Sequence, residues 1–226
     1  MWSSVAIAVF VKNPMISPVK TRLMEGIGKK NAEEFYHLSC RSIYSVVSSF
    51  NLQRECDRFW AVAEDPIQYP EGADYWRDWP IIYQGGGGLG DRLHQVYGNL
   101  QSGYEAVIIL GSDCPQLSSS LLWQTLSFLE KNDYVLGPAA DGGFYLFAGK
   151  KKVPESVWVQ TPYSSHDTFK ILSQNLVVVG QLCSHLPVLH DVDDVSCLAP
   201  FQQELNALPF LVESQYQLKN WVESLE

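Results

Sequence analysis

"AVIILGSDCP" (Ala106–Pro115) runs from five apolar residues, three of them β-branched, straight into a small-residue turn that carries one acid, Asp113. A run without a polar member cannot be a strand with one wet face. It must be covered on both sides, as the central strands of parallel sheets are. Loops at the carboxyl ends of such strands converge on a crevice, so Asp113 stands where chemistry is expected. The same rhythm extends in both directions, short branched runs alternating with stretches of helical period. Upstream, VAIAVFV (Val5–Val11) reads as a buried strand, and FWAVA (Phe59–Ala63) as another. Between them Phe35, Leu38, Ser42, Val46 and Phe50 trace one helix face at steps of three or four. PIIYQ (Pro80–Gln84) leads into a glycine run, after which Leu89, Leu93, Val96, Tyr97 and Leu100 give the next helix its apolar face. Downstream a helix is predicted over Ser118–Glu130. DYVLGP (133–138) and GFYLFAG (143–149) are strands too close together for a helical crossover, hence an antiparallel or splayed pair. TPYSSHDTFKIL (161–172) reads as a loop and a capped helix, LVVV (176–179) as a strand, and LPVLHDVDD (186–194) as a late strand ending in acids before a last helical region.

The bulk properties bound the function. A chain of 226 residues, 46% hydrophobic, is enough for one sizeable core, and residues 1–226 are expected to form a single domain. A formal net charge of −9 argues against a broad basic surface holding nucleic acid, but leaves room for a local cationic pocket for a small anion. Five cysteines without CxxC spacing, no signal peptide and no long apolar span predict a reduced, cytoplasmic, soluble protein with no membrane span. Five scattered histidines, without HExxH spacing or paired Cys/His sets, give a zinc site little support.

Four loops carry candidate chemistry. In VKNPMISPVKTRL (11–23) two prolines stiffen a loop whose Lys12, Lys20 and Arg22 either converge on phosphate or are solvated surface charge. In QGGGGLGDRL (84–93), Gly85, Gly87 and Gly90 formally satisfy G-x-G-x-x-G. Against a dinucleotide loop, Asp91 would set a carboxylate beside the pyrophosphate, and two strands precede the motif. A P-loop fails because Asp91 and Arg92 stand where Lys and Ser/Thr are required. The favoured reading is close approach of a base or ribose to backbone at Gly87 and Gly90, with Gln84 as a base contact; a plain flexible connection is the alternative. Asp113 suits a divalent cation held against a diphosphate, or a helix cap. Cys114 reads as packing. Asp141, in DGGF, is a catalytic acid or a turn residue. Asp191 and Asp193, evenly spaced, share one side of an extended segment, which suits metal ligation or capping equally.

Taken together, VKNPMISPVKTRL, QGGGGLGDRL, GSDCPQL, GPAADGGFYLFA, TPYSS and LHDVDD resemble the ordered blocks of the bacterial radical-SAM/selenodomain-associated transferases, a glycosyltransferase-like family. The resemblance runs from about Ala6 to Ala199. It implies the GT-A fold of nucleotide-diphospho-sugar transferases, an α/β Rossmann-like three-layer sandwich with a mostly parallel sheet, which also carries nucleotidyltransferases such as 2-phospho-lactate guanylyltransferase. It sets Asp113 where GT-A enzymes keep the acid of their metal-binding DxD, and Asp193 near a late metal-binding acid of related nucleotidyltransferases. Three blocks depart from the pattern. Ile16-Ser17 replaces proline-glycine, Gly86 and Gly88 replace acids, and Asp194-Val195-Ser196-Cys197 replaces a Thr-Pro-Glu-Asp-like run.

The function expected is therefore a Mg²⁺- or Mn²⁺-dependent transferase joining a nucleotide or nucleotide-sugar donor to a small-molecule acceptor. Glycosyl transfer is favoured over nucleotidyl transfer, and a noncatalytic nucleotide-binding module is a third reading. Asp113 and Asp193 are the expected metal ligands and Lys20, Arg22 and Asp141 the catalytic groups. Lys12, Gln84, Gly87, Gly90, Arg92 and Ser112 form the nucleotide-binding set.

Overall fold

The computed structural model describes residues 2–179 and 182–225. Strands β1 (Val5–Val11), β2 (Asp57–Val62), β3 (Ile81–Tyr83), β4 (Ala106–Leu110), β5 (Tyr134–Pro138), β6 (Phe144–Gly149) and β7 (Cys183–His185) form one sheet of order β3-β2-β1-β4-β6-β5-β7. β1 runs parallel to β2 and β4, β2 to β3, and β5 to β7; only β6 is antiparallel to its neighbours β4 and β5. The chain leaves β1 toward one edge and returns to β4 on its other side, so the loops after β1 and β4 part in opposite directions. That strand-order reversal opens a crevice at their carboxyl ends.

Both faces of the sheet are covered, as the apolar β4 requires. Val5, Ile7 and Val9 of β1, with Ile108 and Leu110 of β4, pack against α2 (Lys29–Gln53) and α4 (Ser119–Lys131). Ala6 and Ala8, with Val107 and Ile109, face α3 (Leu89–Gln101), α5 (Glu155–Val159) and α6 (Thr168–Val178). Each aliphatic side chain fully buried here contributes about 1.5–3 kcal/mol. A third cluster joins the short α1 (Thr21–Ile27) and α2 to α7 (Leu198–Ala207) and α8 (Glu213–Glu223) through Leu23, Phe35, Phe201, Leu205 and Leu218. No helix among the described residues is long and apolar enough to cross a membrane.

Two expected strands are not strands. Leu176–Val179 closes α6: Leu176 is buried while Val177 and Val178 are 60% and 83% exposed, one-sided burial at helical period that outweighs the β-branched composition. The LPVLHDVDD segment forms no ladder of its own: the Leu186 N–H bonds the Leu136 carbonyl at 2.8 Å, Leu189 makes an isolated bridge with Ala139, and the edge strand lies before it at Cys183–His185. Ser118 caps α4 through the Leu121 N–H as a capping serine should, whereas Asp167, at the start of α6, makes no side-chain cap.

Candidate active site

The loops beyond β1, β3 and β4, the β5–β6 turn, the segment before α6 and the acidic segment after β7 enclose a cleft of about 500 Å³. One buried helix face sets the ends of the two central strands. The Tyr36 hydroxyl accepts the Lys12 N–H and donates to the Lys12 carbonyl, both at 2.8 Å. One turn further along α2, the Ser39 hydroxyl donates to the Ser112 carbonyl. Phe35 lies beneath the Lys20 ammonium, 5.7 Å from Nζ to the ring centre.

Lys20 is a buried charged group of the cleft lining. Its backbone is left-handed (φ 51°, ψ 41°), a conformation that costs a non-glycine residue about 1–3 kcal/mol and persists where the surrounding structure over-determines the chain. The side chain is 3% exposed, with Nζ 2.5 Å from Asp113 Oδ1, 2.6 Å from the Val192 carbonyl and 3.8 Å from Asp193 Oδ1. Burial pulls its pKa down, but the charge and hydrogen bond of Asp113, with Asp193 behind, outweigh that and raise it, so the group is an ammonium at neutral pH. Arg22 is 74% exposed and reaches Asp193 Oδ2 at 3.6 Å.

Asp113 and Asp193, the expected metal ligands, both stand beside Lys20. Asp113 Oδ1 is engaged by Lys20, because the loop after β1 turns the ammonium inward. The carboxylates that converge are those of Asp141, Asp191 and Asp193, whose candidate ligand atoms all lie within 4.8 Å of one another. Asp191 is pushed up to about 6, first by burial and then by the charges of Asp141 and Asp193. Burial also raises Asp193, though Lys20 pulls it back. An all-oxygen set of this kind matches the hard donors that Mg²⁺ and Mn²⁺ take. Asp141 is a turn residue, its Oδ1 accepting the Gly143 N–H at 2.7 Å, and it also lines the cleft. Cys114 is buried, and burial, Asp191 and Asp113 hold its thiol well above the usual range, in keeping with packing.

At the other end of the cleft, Gln84 is buried, and its Nε2 donates to the Ala61 carbonyl at 2.7 Å and the Val11 carbonyl at 3.2 Å. Carbonyls only accept, so the amide orientation is fixed and Oε1 is the atom left to meet a ligand. The glycines behave otherwise than expected. Gln84, Leu89, Arg92 and Leu93 line the cleft, and among the described residues no glycine of the run does. A Cβ on Gly90 would stand 2.6 Å from the Trp158 carbonyl, so this glycine allows α3 to approach α5, and protein fills the space expected for a ligand. Gly87 has φ +85°, and a Cβ there would meet Asp91 Oδ2 at 2.6 Å. Asp91 accepts the Gly88 N–H at 2.8 Å, capping α3, and Arg92 Nε donates to the Gly87 carbonyl at 3.2 Å. Lys12 is exposed beside the cleft, and Ser112 is buried with its carbonyl held by Ser39. Tyr36 and Tyr163 also line the cleft; Tyr163 lies within the TPYSS block, whereas Tyr36 belongs to no motif and only follows Phe35 of the helix face.

No curated protein matches the chain. Among solved structures, it is similar over 98% of its length to 96% of a candidate nucleotide-diphospho-sugar transferase from Desulfovibrio desulfuricans G20, with a TM-score of 0.85 at 25% identity. CMP:2-keto-3-deoxy-manno-octonic acid synthetase, in complex with CTP, shares the fold with a TM-score of 0.54 at 14% identity, over 91% of this chain and 100% of that one. So does 4-diphosphocytidyl-2C-methyl-D-erythritol synthase from Anaerococcus prevotii DSM 20548, with a TM-score of 0.53 at 13% identity, over 97% and 98% of the two chains. The α/β fold expected from the sequence, that of the nucleotide-diphospho-sugar transferases, is the fold observed. A family profile matches residues 47–165, more than half of the chain, which therefore belongs to DUF2064, a family of uncharacterized proteins conserved in bacteria.

Proposed function

We propose that this chain is a metal-dependent transferase with a nucleotide donor, and that the reaction is glycosyl transfer from a nucleotide-diphospho-sugar to a small-molecule acceptor. One observation carries the reading: at the strand-order reversal, a buried ammonium and a set of carboxylates face one cleft. The likeness to the Desulfovibrio protein supports it. Mg²⁺ commonly takes one or two protein carboxylates, the rest of its shell coming from water and substrate phosphate. In this reading Asp191 and Asp193 would hold the ion, which would supply positive charge to the diphosphate leaving group. Asp113 is assigned to Lys20 in place of the metal.

The chain's own groups do the rest. Lys20 has three N–H donors, two in short bonds to Asp113 and Val192, and the third is available to a phosphate oxygen. With Arg22 and Lys12 it adds charge-assisted hydrogen bonds where negative charge develops. Gln84 Oε1 accepts from a donor edge of the base, and Arg92 lies on the same side of the cleft. Asp141, exposed at its turn, orients the acceptor hydroxyl. The chain works as one domain in a reducing, cytoplasmic setting, which its five free cysteines suit. The radical-SAM/selenodomain association is part of the proposal that rests on the motif resemblance alone.

Nucleotidyl transfer is the second reading, favoured by the concentration of Lys12, Lys20 and Arg22 in one loop, which suits a triphosphate. Incubation with nucleoside triphosphates and nucleotide sugars in Mg²⁺ or Mn²⁺ separates the two. Nucleoside diphosphate release supports glycosyl transfer, pyrophosphate release supports nucleotidyl transfer, and binding without turnover leaves a noncatalytic module.

A further inference from the structure

Glu204, on α7, does not line the cleft, yet its carboxylate receives three hydrogen bonds from the two loops that carry the acids. Oε2 accepts the His190 main-chain N–H at 3.0 Å and Gln116 Nε2 at 2.8 Å, and Oε1 accepts His190 Nδ1 at 2.6 Å. Gln116, which is 1% exposed, sends its other amide proton to the His190 carbonyl at 2.7 Å. His190 immediately precedes Asp191, and Gln116 lies three residues after Asp113. A bond of 3.1 Å from the Val192 N–H to the Asp113 carbonyl already joins the loops at one point. Lys20 Nζ, bonded to both Asp113 and the Val192 carbonyl, spans them at the same place, and the Glu204 cluster adds a separate attachment on the α7 side, through Gln116 and His190. α8 braces only one of the two loops, through Gln215 Nε2 to the Pro115 and Leu117 carbonyls at 2.9 Å each.

We infer that Glu204 is the positioning residue that sets the Asp113–Lys20 pair against Asp191 and Asp193, and thereby the affinity of the cleft for a nucleoside diphosphate bound with a divalent cation. The inference rests on the nucleotide-donor reading above. Its physical basis is that charge-assisted hydrogen bonds to an ionised carboxylate are strong and directional, and that small displacements of ligating groups are costly. The helical segment after the acids, beyond the part of the chain that the family profile matches, thus belongs to the working site.

The test compares Glu204→Ala, His190→Asn, Gln215→Ala and Leu205→Ala in the full chain. Hydrogen exchange is followed in residues 112–117 and 189–194, and affinity for each of UDP, GDP, CDP and ADP with Mn²⁺ is measured by calorimetry. Glu204→Ala should speed exchange in both segments and weaken Mn²⁺–nucleotide binding roughly tenfold to a hundredfold. His190→Asn, whose amide nitrogen can replace Nδ1 as donor, should stay within about threefold of wild type. Gln215→Ala should free only 112–117. Leu205→Ala, a core truncation on the same helix, should lower thermal stability without singling out either loop. Unchanged exchange in Glu204→Ala overturns the inference. So does faster exchange with unchanged affinity, or an equal affinity loss in Leu205→Ala at the same fall in melting temperature. Wild-type protein that binds none of the four diphosphates with Mn²⁺ overturns the nucleotide-donor reading and the affinity role of Glu204 with it, while the exchange arm still decides whether Glu204 joins the loops.

Discussion

A buried ammonium is stable only where its charge is met, and Lys20 meets Asp113, Asp193 and a carbonyl at once. Lys20→Met should therefore have two separable effects. Removing one partner of a buried pair destabilises, by less than the 3–5 kcal/mol of a fully buried pair because the Asp113 side chain is 46% exposed. Losing a charge-assisted hydrogen bond to the donor should cost about 1.5–3 kcal/mol, roughly tenfold to a hundredfold in donor use. The double variant Lys20→Met/Asp113→Asn should recover stability without recovering donor use; recovery of both in denaturation and donor kinetics would remove Lys20 from the site. Arg22→Ala should leave stability within about 0.5 kcal/mol, since the side chain is solvated, and should raise the KM for donor. Asp191 gives the opposite balance. Its native pKa of about 6 lies above the ordinary 3.8, so between those values the folded chain holds a proton that the unfolded chain has released. Stability therefore falls as pH rises through that window, and the full penalty is present above pH 6. Asp191→Asn should raise the melting temperature at pH 7.5 by the equivalent of about 1 kcal/mol, a figure reduced for the group's partial exposure, should leave it unchanged at pH 3.5, and should weaken Mn²⁺ binding. Equal melting temperatures at both pH values in variant and wild type would sink the assignment.

At the scale of elements, the turn between β5 and β6 and the segment before α6 are interlocked. His166 Nδ1 donates to the Asp141 carbonyl at 2.7 Å, and the Phe169 N–H to the Gly142 carbonyl at 2.8 Å. Gly142 has φ +92°, and a Cβ there would stand 2.1 Å from the His166 carbonyl. Gly142→Ala should accordingly destabilise by at least about 2 kcal/mol and expose residues 162–168 to protease. Gly86→Ala, with ordinary φ and nothing within 4 Å of the added carbon, should lie within about 0.5 kcal/mol of wild type; equal denaturation curves for the two variants would refute this account. The same elements show what the sequence makes legible. β1, β4 and the antiparallel β5–β6 pair could be read because full burial leaves an unbroken apolar run and a short connection excludes a crossover. Leu176–Val179 could not, since whether a branched run faces one neighbour or two depends on what packs on it. The glycine run shows the same limit within a site: its backbone freedom was evident, but that Gly90 answers to the Trp158 carbonyl is a contact between residues far apart in sequence. That Asp113, Asp193 and Lys20 stand in loops facing one crevice is legible from the sequence. Their pairing is not, because the loop after β1 decides which way the ammonium points.

Across the whole molecule, the sheet brings together charges that the chain keeps apart, Lys20 after β1, Asp113 after β4, Asp141 after β5, and Asp191 and Asp193 after β7. The last three repel one another: burial raises both Asp191 and Asp193, the Asp141 charge adds to each, and Lys20 pulls Asp193 back. A divalent cation alone would relieve that repulsion but gain few ligands, and a diphosphate alone would enter a cleft still lined with carboxylates. Each partner removes the other's obstacle, so their binding should be coupled, and coupling of this kind is reciprocal. Thermal melts should therefore show small shifts with Mn²⁺ alone and with a nucleoside diphosphate alone, and a shift larger than their sum with both. At a donor concentration one hundred times the Kd in Mn²⁺, mass action gives about 2.7 kcal/mol, roughly 5–10 °C for a chain of this length. EDTA should abolish the combined shift and leave the nucleotide-only value. Additive shifts would mean that the acid trio and the donor site are independent, and a full nucleotide shift in EDTA would place the charge that meets the diphosphate in Lys12, Lys20 and Arg22 alone.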